Sequence, residues 1–132
     1  MPSRQPCAGA IVFDVDGRLL LIRRGRPPAA GSWSVPGGRC RSGESPTDAC
    51  VREVAEETAL QVRVLHLAGR VERAAPGGGT YVIDDFVCAL VGGDLRAGDD
   101  AADAGWFAPS ELTDLDLVPG LADALTGWGL LS

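Results

Sequence analysis

The order of apolar and polar positions divides the chain into short strands and a few helices. Ala8 to Val15 is an apolar, β-branched run, Asp16-Gly17 interrupts it, and Arg18 to Arg23 is strand-like again. Such a pattern predicts a β-hairpin closed by a type I′ turn. A loop rich in Pro and Gly runs from Gly25 to Ser34 and closes on Trp33-Ser34-Val35-Pro36-Gly37-Gly38. Ser45-Pro46-Thr47-Asp48 has the character of a helix start, with Ser45 as N-cap and Pro46 in the first turn, and the helix should reach about Thr58. Strands are expected over Gln61–Arg73 and Thr80–Val91, joined by a Pro76-Gly77-Gly78-Gly79 turn. Gly92 to Ala104 is an acidic loop, Gly105–Ala108 a short strand, Pro109–Leu112 a helical turn and Pro119–Gly127 a last helix. Together these elements predict a mixed α and β domain.

Composition narrows the options. A chain of 132 residues with 45% hydrophobic and 23% charged positions is ordinary for one globular domain, expected here over residues 1–132. No apolar run reaches the ~18 residues a membrane span needs, and the N-terminus lacks the apolar stretch of a secretory signal. The expectation is a cytoplasmic protein without membrane partners. Twelve basic against eighteen acidic residues give a net charge of −6, which speaks against a broad basic face for nucleic acid. All twelve basic residues are Arg, so Schiff-base chemistry and a P-loop lysine are excluded. Cys7, Cys40, Cys50 and Cys88 fit no zinc spacing, and His66 is the one histidine; reduced, mostly buried thiols are expected.

The chemistry concentrates between Gly38 and Leu60. On a helical wheel at ~100° per residue, Glu57 lies roughly 40° to one side of Glu53 and Glu56 roughly 60° to the other. Three carboxylates therefore share one side, with Val51, Val54, Ala55 and Thr58 expected opposite, facing the core. A solvated acidic face is the ordinary reading of such a helix. Here, like charges at i,i+3 and i,i+4 repel, and Arg52 alone is near enough in sequence to offset them. A hard divalent cation would turn that repulsion into ligation. The Pro36-Gly37-Gly38 bend could bring backbone carbonyls to the same ion, because glycine has no Cβ.

The segment Gly38, five residues, Glu44, seven residues, Arg52-Glu53-Val54-Ala55-Glu56-Glu57-Thr58-Ala59-Leu60 resembles the Nudix box, G-x5-E-x7-R-E-U-x-E-E-x-G-U. Every charged position matches; Ala59 stands where the family usually has Gly. Leu20-Leu21-Ile22-Arg23-Arg24 and Trp33 to Gly38 are similar to the family's lead-in, and Asp99 to Trp106 with Pro109–Leu112 to its C-terminal part. The resemblance implies an α+β Nudix fold, a mixed β-sheet sandwiched between helices (α/β/α).

It also implies Mg²⁺- or Mn²⁺-dependent cleavage of a pyrophosphate bond in a small nucleotide substrate. By carry-over, Glu53, Glu56 and Glu57 are metal ligands, the carbonyl of Gly37 or Gly38 is a further ligand, and Glu53 orients or deprotonates the attacking water. Glu44 and Arg52 support them, although Arg52 also reads as a purely structural salt bridge. Arg23 is favoured over Arg24 as a phosphate contact, since alternation sends the two to opposite faces. Asp99, Asp100 and Asp103 are candidates for an additional base, with Asp100 preferred. Trp33 and Trp106 are expected to pack, and Phe86 and Tyr81 are open.

The substrate lies outside the box. Pro76, sixteen residues beyond Leu60, and the segment Leu95 to Asp103 are similar to members that cleave ADP-ribose, although Pro-Gly-Gly-Gly is already a sufficient turn signal. A MutT-like nucleoside triphosphate pyrophosphohydrolase is the alternative enzyme, and a non-catalytic nucleotide sensor the alternative class. Members of the family are frequently dimers.

Overall fold

The structure, a computed structural model, describes residues 3–26, 30–98 and 101–131. The elements are β1 (Arg4–Val12), β2 (Leu19–Arg24), β3 (Trp33–Ser34), β4 (Gly37–Arg39), α1 (Pro46–Thr58), β5 (Gln61–Ala74), β6 (Thr80–Gly92), β7 (Ala101–Phe107), a 3₁₀ segment (Pro109–Asp114) and α2 (Leu121–Gly127). The strands form two sheets, one in the order β4-β1-β6-β5 and one in the order β3-β2-β7. In the first, β1 runs parallel to β6 and antiparallel to β4.

Two apolar clusters fill the two sides. Ala8, Ala10 and Val12 of β1 meet Ala49, Cys50 and Val54 of α1. Ile11, on the alternate face of β1, packs with Leu19, Leu21, Leu112, Leu121 and Leu125, the last two from α2. Period-two alternation along β1 thus puts one helix on each side, as the α+β reading requires.

The expected β1–β2 hairpin differs. The two strands belong to different sheets and share one bridge, Phe13 with Leu19. A type I′ turn needs positive φ at both central residues, and only Gly17 has it (75°). The Asp14 carboxylate instead accepts the N–H groups of Asp16 and Arg18, at 3.0 and 2.8 Å, and builds a longer loop. The last strand is also longer than expected. Ala101–Ala104, read as acidic loop, continue β7 because Arg24, Arg23 and Ile22 of β2 offer them a ladder.

The four cysteines are free thiols, and Cys50 and Cys88 lie with sulfurs 3.6 Å apart in the core. Trp33 packs edge-on against Phe107 at 4.9 Å between ring centroids, while Trp106 and Phe86 join the α1-side core. Tyr81, on β6, is half-buried. Among the described residues, no helix is long and apolar enough to cross a membrane.

Candidate active site

Helix α1 begins as the sequence indicates. The Ser45 hydroxyl accepts the Asp48 N–H at 3.1 Å, and Pro46 occupies the first turn, where its missing N–H is no loss. At the other end the chain turns through Ala59 at φ 63°, the left-handed region that favours glycine.

The helix is rotated relative to the wheel reading. Ala49, Cys50, Val54, Glu57 and Thr58 are its buried residues, whereas Val51 is 38% exposed and Ala55 is also exposed. Val51 and Ala55 therefore do not face the core. The wheel placed Glu57 with Glu53 and Glu56 on the side opposite the core, but Glu57 turns inward, where the Gly37 N–H donates to its Oε1 at 2.8 Å. Glu57 is only 7% exposed, and that bond meets part of its desolvation cost.

Arg52 organises the remaining carboxylates. Its Nε and Nη2 donate to Glu44 Oε2 and Oε1, both at 2.8 Å; its Nη1 donates to Glu53 Oε1 at 2.7 Å and Glu56 Oε2 at 3.1 Å. Nη2 also reaches the Arg39 carbonyl, at 3.1 Å. One guanidinium thus links three glutamates to strand β4, using the fixed fork that a lysine lacks. The Arg52 guanidinium and the Arg41 N–H hold the Glu44 carboxyl at a pKa of about 2, well below its ordinary value. Arg41, which sequence reasoning did not single out, also pairs with Glu56 at 3.1 Å.

The double glycine of β4 lies directly over this cluster. A Cβ on Gly38 would fall 2.8 Å from the Glu53 carboxyl, so the bare backbone is what allows Glu53 to stand there. Among the described residues, no three acidic, cysteine or histidine side chains already converge as a metal cage. Arg52 stands between the glutamates as their common counter-ion. The donors gathered here, carboxylate oxygens beside a glycine backbone, are those a hard divalent cation takes.

Of the other expected residues, Arg23 is exposed on β2, level with Trp33 and Asp103, and forms no ion pair with the glutamates among the described residues. Asp100 and Asp99 lie outside the described residues. Their flanks are tied to the helix end: the Arg96 N–H donates to the Thr58 carbonyl and the Gly98 N–H to the Glu57 carbonyl, at 2.9 and 3.0 Å. Pro76 sits in the β5–β6 hairpin turn between Ala75 and Gly79, five or more residues along the sheet from Gly9 and Gly37. Asp85, on β6, was not foreseen; it is buried, and its burial raises its carboxyl to a pKa of about 6. Two adjacent Asp residues inside an apolar strand were the available signal.

The NUDIX domain family matches residues 3–126, which include the whole helix and both glycines. The chain belongs to the Nudix hydrolase family. A Methanocaldococcus jannaschii protein named ADP-ribose pyrophosphatase is 37% identical over 84% of this chain, which spans 63% of that relative's length. A Mycobacterium tuberculosis protein named putative 8-oxo-dGTP diphosphatase 2 is 39% identical over 92% of this chain and 82% of its own length. Among solved structures, a MutT Nudix hydrolase from Burkholderia pseudomallei superimposes with a TM-score of 0.83 at 29% identity, covering 94% of this chain and 97% of that one. The mixed sheets flanked by helices are therefore a Nudix fold.

Proposed function

We propose that this Nudix chain hydrolyses the pyrophosphate bond of a nucleoside diphosphate joined to a second moiety, with ADP-ribose as the preferred substrate and Mg²⁺ or Mn²⁺ as cofactor. The observation that carries this reading is the Arg52-centred cluster of Glu44, Glu53 and Glu56, with Glu57 bonded to the Gly37 backbone. Glu53, Glu56, Glu57 and a carbonyl of Gly37 or Gly38 would hold the cation. When bound, it would neutralise the diphosphate and acidify a water.

The chain's own groups do the rest. Glu53 orients the water and takes its proton as oxygen attacks one phosphorus; the P–O bond of the bridging oxygen breaks, and AMP and ribose 5-phosphate leave. Arg52 and Glu44 fix the glutamates without touching substrate. Arg23 meets a substrate phosphate from the end of β2, and Asp100 serves as a further acid-base group. A substrate of this size needs no nucleic-acid or membrane surface, and a homodimer is the expected assembly.

Two observations favour the MutT-like reading as the second. One is the name of the mycobacterial relative. The other is that Pro76, one cue for ADP-ribose, is used by the hairpin turn. A panel of ADP-ribose, dinucleotides and nucleoside triphosphates with Mg²⁺ and Mn²⁺ decides between them. AMP from ADP-ribose supports the first reading. Pyrophosphate from a triphosphate with ADP-ribose untouched supports the second. Nucleotide binding without turnover on any member of the panel would replace both with a sensor.

A further inference from the structure

Four strands meet along one transverse line. Gly37 on β4 pairs with Gly9 on β1, Gly9 with Asp85 on β6, and Asp85 with Gly69 on β5. Paired residues project to the same face of a sheet. This line therefore carries one side chain where four would ordinarily stand. The Asp85 carboxyl leans over Gly9, its Oδ1 lying where a Gly9 Cβ would be, and the indole Nε1 of Trp128 lies where a Gly69 Cβ would be.

Asp85 is 6% exposed, and among the described residues no hydrogen bond reaches its carboxyl. Every fully enclosed side-chain nitrogen or oxygen among those residues has a partner. The Asp85 oxygens therefore keep some exposure, and Oδ1 lies over Gly9, beside the Val35 side chain. A nearly buried carboxyl without a partner is costly unless a ligand completes it. The line ends at Gly37, which holds Glu57, and lies about 10 Å from Asp85, two strand spacings away. That span is comparable with the reach of a nucleoside from its 5′ phosphate to its base.

We propose that this glycine-floored line seats the purine base of the substrate, and that Asp85 reads its edge as a carboxylic acid, donating to a ring nitrogen and accepting from an exocyclic amino group. Adenine offers that acceptor and donor side by side; guanine offers two donors. Burial is the largest influence on the Asp85 carboxyl and favours its neutral form; Asp84 adds to that, and Arg73 opposes it. The proposal rests on the nucleotide hydrolase reading and adds the residue that selects the base.

Calorimetric titration of the metal-free protein at pH 5, below the Asp85 pKa of about 6 so that the carboxyl is mostly protonated, with AMP, GMP and ribose 5-phosphate tests it. AMP is expected to bind about tenfold tighter than either of the others. Asp85→Ala should bring AMP to the level of ribose 5-phosphate, whereas Asp85→Asn, which keeps one donor and one acceptor, should stay within about threefold of wild type. The KM for ADP-ribose should follow the same order, with melting curves confirming that each variant folds. Unchanged AMP affinity and KM in Asp85→Ala, with turnover intact, would overturn the base site alone. Tighter GMP than AMP would overturn the adenine assignment. Asp85-dependent AMP binding without ADP-ribose turnover would support the base site and overturn the substrate reading.

Discussion

Arg52 and Glu44 meet through two parallel hydrogen bonds, each 2.8 Å, while the third arm of the same guanidinium holds Glu53 and Glu56. The pair is the bracket from which the acidic helix face hangs. Arg52→Lys keeps the charge but cannot reproduce the fork. The expected result is a 10- to 100-fold loss of kcat/KM with a small change in melting temperature, read by steady-state kinetics and calorimetry.

The same pair sets an acid limit. The Glu44 carboxyl is held at about 2, below its unfolded value of 4.5. Its contribution is therefore complete above pH 4.5 and fades as pH falls toward 2. Glu44→Gln should be less stable than wild type at pH 6, and the difference should shrink between pH 4.5 and 2 in urea titrations.

Glu53→Gln removes the proton acceptor and keeps the shape. Turnover with Mg²⁺ should fall by about 10³-fold or more, with the fold intact by circular dichroism. Activity near wild type would remove Glu53 from its assigned role.

The two glycines of β4 should respond differently. Gly38→Ala pushes a methyl against the Glu53 carboxyl, a movable group 2.8 Å away, so metal affinity and kcat should drop while stability changes little. Gly37→Ala drives its methyl into the Ala8 carbonyl, which cannot yield, and should cost about 1–3 kcal/mol in chemical denaturation.

Asp85 should lower stability at neutral pH. Its folded pKa, about 6, exceeds the ordinary 3.8, so the burial cost is absent below pH 3.8, grows to pH 6 and is full above it. Asp85→Asn should gain about 2–3 kcal/mol over wild type at pH 7.5 and progressively less toward pH 4.

Much of the site was legible because its parts are local in sequence. The spacing of Glu53, Glu56 and Glu57, the Ser45 cap and the Arg52 position are all set within one helix, where 3.6-residue periodicity carries over directly into space. The orientation of that helix was not legible. Val51 and Ala55 are apolar enough to suggest a core, but the stripe that packs is fixed by where β1 and β4 lie, and the wheel alone put Glu57 on the side away from the core. The Asp16-Gly17 signal gave a reversal in the right place without revealing that β1 and β2 enter different sheets. The line from Gly37 to Gly69 exists only through the register of four strands, which no window of sequence contains.

The stitching of Arg96 and Gly98 to the last carbonyls of α1 makes one mechanical unit of two segments some forty residues apart. Gly98 is held there with no room for a larger residue, since its Cβ would come within 2.5 Å of the Glu56 carbonyl. Any redesign that lengthens or swaps the connection into β7 to change ligand preference would pull on the terminus that presents Glu56 and Glu57, so selectivity and ion grip would shift together.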